Sequence, residues 1–369
     1  MALNEEAIWE ALRSVKDPET NRNVVALNMI RDLVINEGSV SFRLVFVNPA
    51  SPVKSEIETA IKHALIKVPG VKKINVDSGQ PQQSQLQPKP GEYLSSVQHI
   101  IAVASTKGGV GKSTVSVNLA AALAATGARV GLLDADIYGP NIPLMSGAQG
   151  AEATVAVYTD QNGQNHELIE PIEINGMKVM SMGFLVHDGQ PVMWRGPMLN
   201  SALKQFLGQV DWGELDYLVI DLPPGTGDVQ LSLLQLTQVS GIVHVTTPQE
   251  IALQDVRRGI AMFASQNIPV LGVIENMSFF CCPNCGHEAH IFSSGGADTI
   301  TSDLRVPLLG KIPLAIEIRE AGDTGKPFVL QSPDSPEGRI FTDAAQQLIK
   351  ILNGTATESF ASSPDCGRV

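Results

Sequence analysis

The chain has 369 residues, 43% of them hydrophobic and 17% charged, a composition typical of a globular protein long enough for two domains. Its net charge is −12 and no basic run is visible, so we expect no nucleic-acid-binding surface. The acidic N-terminus has no signal-peptide pattern. The sequence contains no window of about 18 uninterrupted apolar residues, so we expect no membrane partner.

Residues 1–77 are predicted to form a small α+β domain, because short alternating strands and amphipathic helices follow each other with clear turn signals between them. The first helix is expected to end before Asp17-Pro18, and the second at Pro69-Gly70. The expected elements are a helix over 5–15, strands over 30–35 and 39–47, a helix over 53–68 and a strand over 71–76.

Residues 78–96 are predicted to be a flexible linker. The stretch 78–92 contains five glutamines, three prolines and two serines, a composition that cannot form a hydrophobic core. It marks the clearest domain boundary in the chain.

A glycine-rich loop opens the second predicted domain, which spans residues 97–352. It follows an apolar strand over 99–105 and precedes an alanine-rich helix over 112–126, the context that a phosphate-binding P-loop requires. Backbone N–H groups of such a loop surround the phosphates, while Lys112 contacts the outer phosphates and the Ser113 hydroxyl contacts Mg²⁺. The predicted nucleotide-binding loop is Thr106, Lys107, Gly108, Gly109, Val110, Gly111, Lys112, Ser113 and Thr114.

The loop departs from the common pattern at its start, where Thr106 replaces a glycine and Lys107 follows. One interpretation is that Lys107 is a solvated loop lysine. The other is that Lys107 reaches a phosphate across a subunit interface, since this variant loop is typical of P-loop ATPases that work as dimers, including partition and MinD-like ATPases.

Acidic residues follow two further apolar strands, over 129–134 and 217–221. Asp134 and Asp136 come at the end of the first, and Asp221 ends the second. Ligands of α/β proteins bind at the carboxyl ends of parallel strands, so these carboxylates are candidates for orienting water and for holding Mg²⁺. The Pro-Pro-Gly-Thr-Gly segment after Asp221 is typical of a switch loop.

The remainder of this region alternates between strands and helices, which predicts a parallel sheet covered on both faces. The fold class is therefore α/β, a parallel-sheet P-loop NTPase domain preceded by a small α+β domain. The amphipathic helix over 339–352 has few basic residues and is predicted to pack rather than to bind lipid, and the tail 353–369 is expected to be disordered. Further strands are predicted over 242–247, 270–275 and 308–312, and further helices over 198–208, 228–238 and 250–266.

Two features follow the strand over 270–275. Asn276 is either a contact to an adenine base or a turn residue, and the absence of a guanine motif favours ATP.

Cys282 and Cys285 form a C-x-x-C pair, which supplies half of the ligands of a tetrahedral metal or cluster site. A second subunit is the simplest source of the other half, for a bridging iron–sulfur cluster or a structural zinc, while a redox pair is a further alternative. The four cysteines form no disulfide framework, which indicates a reducing, cytoplasmic compartment.

Taken together, these segments resemble the Mrp/ApbC-type iron–sulfur cluster carrier ATPases. Asp17-Pro18-Glu19 matches the small domain fused to many such proteins, but Ser51 stands where those domains often have a cysteine. The matching segments of the larger domain are TKGGVGKST, DADIYGPN, WRGPM, DLPPGTGD, TPQE and ENMSFF-x-CPNCGH.

The resemblance implies that a homodimer binds a labile 4Fe-4S cluster through Cys282 and Cys285 and passes it to apo iron–sulfur proteins. ATP binding or hydrolysis is expected to gate this exchange, with Lys107 acting on the nucleotide of the partner subunit. The implied catalytic residues are Lys107, Lys112, Asp136 and Asp221.

Two other functions use similar loops. A partition or MinD-like positioning ATPase with a structural zinc at the C-x-x-C would bind DNA or lipid, which the acidic charge and the C-terminal tail disfavour. An electron-transfer ATPase similar to nitrogenase reductase has widely separated cluster cysteines, unlike the pair here.

Overall fold

The computed structural model describes residues 5–16, 18, 23–25, 29–36, 39–44, 54–77, 94–136, 139–159, 165–184, 196–225 and 228–354. The chain divides into two compact units, Met1–Gln87 and Pro88–Val369. Most of the predicted linker, residues 78–93, and most of the predicted tail, residues 355–369, lie outside the described residues.

The first unit packs two helices against a three-stranded sheet of order β1-β2-β3. Strands β1 and β2 are antiparallel, whereas β2 and β3 are parallel, with the second helix as their connection. Ile8 and Leu12 of the first helix pack in one core with Ile57 and Ile61 of the second. The elements are α1 (Glu5–Arg13), β1 (Ile30–Asn36), β2 (Ser39–Leu44), α2 (Lys54–Leu65) and β3 (Lys73–Asp77).

The second unit contains the remaining strands and helices. The strands are β4 (Val97–Ala104), β5 (Val130–Asp134), β6 (Thr154–Thr159), β7 (Asn165–Glu170), β8 (Ile172–Ile174), β9 (Met177–Ser181), β10 (Leu215–Asp221), β11 (Gly241–Thr246), β12 (Val270–Glu275), β13 (Phe280–Cys281), β14 (Glu288–Ala289) and β15 (Leu308–Lys311). The helices are α3 (Lys112–Ala125), α4 (Ile142–Ser146), α5 (Gly196–Gly208), α6 (Asp228–Leu236), α7 (Glu250–Ser265), α8 (Gly296–Leu304), α9 (Ile316–Asp323), α10 (Phe328–Gln331) and α11 (Pro336–Leu352), with a 3₁₀ turn at Met182–Phe184.

An eight-stranded sheet of order β15-β12-β11-β4-β10-β5-β9-β8 forms the centre of this unit. Every neighbouring pair is parallel except β8 and β9, which are antiparallel. Strands β5 and β11 are buried along their whole length, as parallel strands covered by helices on both faces must be. The predicted fold class, a parallel-sheet P-loop domain after a small α+β domain, is confirmed.

The sheet edge β8–β9 was not predicted, although the sequence contains its signal. Asn175 and Gly176 connect the two strands with φ values of 53° and 74°. Positive φ at both central residues defines a type I′ turn, for which Asn-Gly is a preferred pair. The strands β6, β7, β13 and β14 and the helices α4, α8, α9 and α10 were also not predicted.

Helix α3, which follows the nucleotide loop, packs against α11, the last helix of the described chain. Helix α3 is buried over most of its length, and α11 packs on α3 and on β15. The Ser335 hydroxyl accepts a hydrogen bond from Gly338 N and caps α11. Ile340, Phe341 and Leu348 fill the interface, so the apolar face of α11 is buried in this unit, as predicted. Within the described ranges, none of the helices combines the length and the apolar character needed to cross a bilayer.

Candidate nucleotide and thiol sites

The glycine-rich loop joins β4 to α3 at the carboxyl end of the central strand. Gly109 and Gly111 have φ values of 80° and 82°, a left-handed conformation that favours glycine. A Cβ on Gly111 would lie 2.1 Å from Asn276 Nδ2, whereas one on Gly108 or Gly109 would meet no atom within 4 Å. The loop is therefore closed on the side of Asn276 and open on the other, where a phosphate chain has room.

Asp221 holds the first turn of α3 in place. Its Oδ2 lies 2.7 Å from Lys112 Nζ and accepts a hydrogen bond of 2.7 Å from the Ser113 hydroxyl. Its Oδ1 accepts a hydrogen bond of 2.6 Å from the Ser116 hydroxyl. Sequence reasoning missed Ser116, although its position three residues after Ser113 places both hydroxyls on one helix face.

The two acids after β5 have different surroundings. Asp136 Oδ2 lies 3.9 Å from Lys112 Nζ, so this carboxylate faces the loop. Asp134 is buried and accepts hydrogen bonds from Asp136 N at 3.1 Å, from Ile142 N at 3.3 Å and from the Ser181 hydroxyl at 2.9 Å. Burial, reinforced by the charge of Asp221, raises the pKa of Asp134 to about 8. Asp134 therefore shapes the segment that carries Asp136.

The groups around the loop suit a magnesium-bound triphosphate. The Ser113 hydroxyl and the carboxylates of Asp136 and Asp221 are oxygen donors, which Mg²⁺ prefers. Lys112 supplies a positive charge that is 6% exposed, a favourable partner for phosphate oxygens. The pocket is lined by Ser105, Lys107, Gly108, Gly109, Gly111, Lys112, Ser113, Thr114, Asp136, Asn141, Met145 and Pro224.

Lys107 lies at the rim of this pocket and is paired within its own chain. Its Nζ is 3.3 Å from Asp255 Oδ2 on α7, and its side chain is 34% exposed. Asp255 also lies 3.2 Å from Arg258 Nη1. Lys107 is therefore held by a carboxylate of another element, a contact that motif reasoning could not supply because the two residues lie on different predicted elements.

Asn276 is buried beside the loop. Its Nδ2 donates a hydrogen bond of 2.8 Å to the Val110 carbonyl, and its backbone N–H donates to Thr246 O at 2.8 Å. One N–H of the side-chain amide is thus used to hold the loop.

Cys282 and Cys285 lie in the turn of the β13–β14 hairpin. Cys282 N donates to His287 O at 3.0 Å, and Gly286 N donates to Cys282 O at 2.8 Å. Both thiols are free, with Cys282 partly buried and Cys285 exposed. Backbone N–H groups of Asn284 and Cys285 hydrogen-bond the Cys282 sulfur and lower the pKa of its thiol, which favours the thiolate that binds metals.

The hairpin supplies two ligands and not a complete metal site. Within the part of the chain that the structure describes, no group of three or more His, Cys, Asp or Glu side chains could hold a metal ion. Two thiolates meet half of the coordination of a tetrahedral ion or of a four-iron cluster.

Several predicted segments fall outside the described residues. They are Asp17 and Glu19, the turn around Ser51, residues 137–138 after Asp136, residues 194–195 of the WRGPM segment and residues 226–227 of the segment after Asp221.

Comparison with known proteins gives matches over both units. Residues 96–349 match the family model described as NUBPL iron-transfer P-loop NTPase, and residues 5–77 match that described as iron–sulfur cluster assembly protein. The chain is 48% identical over 349 residues to the iron–sulfur cluster carrier protein of a Synechocystis species, covering 94% of this chain and 97% of that one.

Two further comparisons agree. The iron–sulfur cluster carrier protein of Deinococcus radiodurans is 46% identical over 343 residues, covering 93% of this chain and 94% of that one. A solved nucleotide-binding protein from Archaeoglobus fulgidus, in complex with ADP, is 38% identical with a TM-score of 0.55, covering 64% of this chain and 90% of that chain.

Proposed function

The chain belongs to the NUBPL-type iron-transfer P-loop NTPase family, and on this basis we propose that it is an iron–sulfur cluster carrier ATPase. In this proposal a 4Fe-4S cluster is the cargo, held between two copies of the chain and passed to apo iron–sulfur proteins. The observation that carries the proposal is the exposed two-thiol turn of the β13–β14 hairpin.

The half-complete thiol site supports a shared cluster. Cys282 and Cys285 of one chain, with the same pair of a second chain, give the four thiolates that a 4Fe-4S cluster takes. A two-fold axis through the cluster makes the two halves equivalent. The turn has little cover over Cys285, so the cluster would remain accessible to a thiol-bearing acceptor protein.

The nucleotide site supports ATP hydrolysis by the usual route of P-loop enzymes. Lys112 and the loop N–H groups would bind the phosphates, and Ser113 and Asp221 would hold Mg²⁺. Bound Mg²⁺ supplies positive charge against the phosphate oxygens. Asp136 would orient a water that attacks the γ-phosphorus, so that the bond to the bridging oxygen breaks and ADP and phosphate leave.

Lys107 would make formation of the dimer depend on whether ATP is bound. In the single chain it pairs with Asp255 at the pocket rim. In the proposed dimer it leaves Asp255 and contacts the nucleotide of the partner subunit, so that ATP stabilises the arrangement that brings the thiol pairs together. Cluster release after hydrolysis would follow from the loss of that contact.

Asn276 would favour adenine over guanine. One N–H of its amide is bonded to Val110 O, which leaves the second N–H as a donor and the amide oxygen as an acceptor. This pair would match N1 and the exocyclic amino group of adenine, and guanine presents the reverse pattern. We expect Asn276→Ala to weaken ATP binding more than GTP binding, measured by competition for a fluorescent nucleotide; equal losses would leave Asn276 as a loop anchor only.

Anaerobic reconstitution with iron and sulfide tests the cargo. The wild-type chain is expected to take up one 4Fe-4S cluster per two chains, measured by iron, sulfide and absorption spectra. The double variant Cys282→Ala, Cys285→Ala is expected to lose it. Asn284→Ala is the matched control, since it changes an exposed residue of the same turn and keeps both thiols.

Transfer to an apo-protein tests the gating. Cluster transfer is expected to differ with ATP, with ADP and without nucleotide, and Lys112→Ala is expected to abolish those differences. A double cysteine variant that keeps the same cluster would refute the carrier proposal, as would a wild-type chain that binds only zinc. Cluster transfer at the same rate with ATP, with ADP and without nucleotide would refute only the proposed gating by ATP.

A further inference from the structure

The first unit has a groove that the nucleotide and thiol sites do not use. It lies between the end of α2 and the start of β3. Its lining consists of three basic and three aliphatic side chains: Lys62, His63, Ile66, Val71, Lys72 and Ile74.

The charge of this groove is opposite to that of the whole chain. Residues 62–76 contain four lysines, one histidine and no acidic residue, whereas the chain carries a net charge of −12. Lys62 is partly neutralised, because its Nζ lies 2.5 Å from Glu58 Oε1. Lys72 is exposed, and among the described residues no ion pair includes it. The groove therefore offers uncompensated positive charge at its Lys72 side.

The floor and one edge of the groove are apolar. Ile66 is 69% exposed, an unusual state for so large an aliphatic side chain, while Val71 and Ile74 are partly buried against the core of the unit. Covering Ile66 would remove apolar surface from water, at about 25 cal/mol per Å². An occupant that gains from both features must present an apolar side chain between carboxylates.

We infer that this groove binds an acidic peptide segment of a partner protein, one with an aliphatic or aromatic side chain flanked by glutamates or aspartates. The apolar side chain would lie against Ile66 and Val71, and the carboxylates would face Lys72 and Lys62. A single-stranded nucleic acid fits less well, since bases stack on aromatic or arginine side chains, and the described lining residues include one such ring, that of His63, and no arginine. The inference concerns the first unit alone and does not depend on cluster carriage.

A pair of labelled synthetic peptides tests the inference with the full-length chain. One consists of glutamates around two central leucines, and the other has serines in place of the leucines. Fluorescence anisotropy is expected to show that the leucine peptide binds at least about threefold more tightly, and that added salt weakens both.

Neighbouring lysines supply a matched control. Lys72 lines the groove, whereas Lys73 is exposed and does not. Lys72→Glu is expected to weaken the leucine peptide about fivefold or more, and Lys73→Glu less than about twofold, although both change the charge equally. Ile66→Ser is expected to remove the preference for leucine over serine. Circular dichroism of each variant checks that the unit stays folded.

Three outcomes would overturn the inference. The first is equal weakening by Lys72→Glu and Lys73→Glu, which indicates a diffuse charge effect. The second is an unchanged leucine preference in folded Ile66→Ser. The third is tighter binding of a single-stranded oligonucleotide or of anionic vesicles than of the leucine peptide, with the same dependence on Lys72.

Discussion

At the scale of single residues, the ion pair between Lys107 and Asp255 makes it possible to distinguish two roles for Lys107. If Lys107 serves only to hold α7 near the loop, removing either partner has the same effect. If Lys107 acts on a second chain, removing Asp255 leaves its cation available for that task. The two side chains are partly exposed, so the pair itself contributes little to stability.

We therefore expect Lys107→Ala to lower ATP turnover by about tenfold or more, because charge stabilisation on the transferred phosphoryl group is lost. Nucleotide binding should change by less than about threefold, since Lys112 and the loop remain. Asp255→Asn, the matched control, should keep most of the turnover. Steady-state phosphate release and nucleotide titration measure both quantities, and equal losses in the two variants would assign Lys107 to the structural role.

His244 in β11 makes the stability of the second unit sensitive to acid. Burial lowers its pKa from 6.5 to about 4. Between those values the unfolded chain binds a proton that the folded chain does not, so the stability from neutral His244 is complete above about pH 6.5 and is lost as the pH falls towards about 4. From about pH 7.5 to about pH 5 this single group should cost about 2 kcal/mol.

His244→Leu should remove that part of the acid sensitivity. Chemical denaturation at the two pH values measures the change in unfolding free energy, and the variant should lose about 2 kcal/mol less than the wild type. Val243→Ala in the same strand changes no titratable group and supplies the control, which should keep the wild-type pH dependence. An equally acid-sensitive His244→Leu would show that other groups cause the loss.

At the scale of elements, the junction of the loop and α3 depends on Gly111. Its φ of 82° and the 2.1 Å approach of a Cβ to Asn276 Nδ2 both oppose a side chain. Gly111→Ala should therefore destabilise the second unit by about 1–3 kcal/mol and weaken nucleotide binding. Gly108→Ala, where a Cβ meets no atom within 4 Å, should change stability by less than about 1 kcal/mol. Thermal unfolding compares them; similar melting temperatures would contradict this account of the junction.

Local pattern and motif spacing predicted the parallel strands β4, β5, β10, β11, β12 and β15 and the helices α3, α5, α6, α7 and α11, but not α4, α8, α9 and α10. Strands β4, β5 and β10 each contain an apolar run before their carboxyl end, and each ends at or next to a residue predicted for the nucleotide site or its loop, which is why the sequence placed these residues together. The β8–β9 edge was missed, because its strands are short and only the Asn175-Gly176 turn signalled it.

The contacts that organise the pocket could not be predicted in the same way. The hydrogen bond from Ser181 to Asp134 and the pair of Lys107 with Asp255 join residues far apart in the chain. Such pairs depend on how helices and strands stack, which no local pattern encodes. The thiol pair, in contrast, was visible because both ligands lie in one turn.

At the scale of the whole molecule, the proposed dimer has a consequence for mixtures of inactive chains. A Lys112→Ala chain is expected to bind nucleotide poorly but keeps Lys107, whereas a Lys107→Ala chain is expected to bind nucleotide but lacks the lysine for its partner. In a mixed dimer the Lys107→Ala chain receives Lys107 from the other subunit. Two inactive variants should then restore activity when combined.

In an equal mixture half of the dimers are mixed and each has one competent site, so about a quarter of the wild-type turnover should return. Phosphate release by the mixture, compared with the sum of the separate variants, measures the effect. A Lys112→Ala, Lys107→Ala double variant mixed with Lys107→Ala is the control and should restore nothing. Purely additive rates in the first mixture would place Lys107 within its own subunit.

The contact between Lys112 and Asp221 also bears on how product leaves. Asp221 Oδ2 lies 2.7 Å from Lys112 Nζ and forms the ion pair that an anionic ligand would otherwise form with this lysine. Asp221 is thus a built-in competitor that any incoming nucleotide must displace, which subtracts from its affinity. When the outer phosphate departs, the same carboxylate can recapture the ammonium group and help to expel what remains. We expect this internal competition to weaken the binding of ADP after the γ-phosphate has left, and so to favour release of the product.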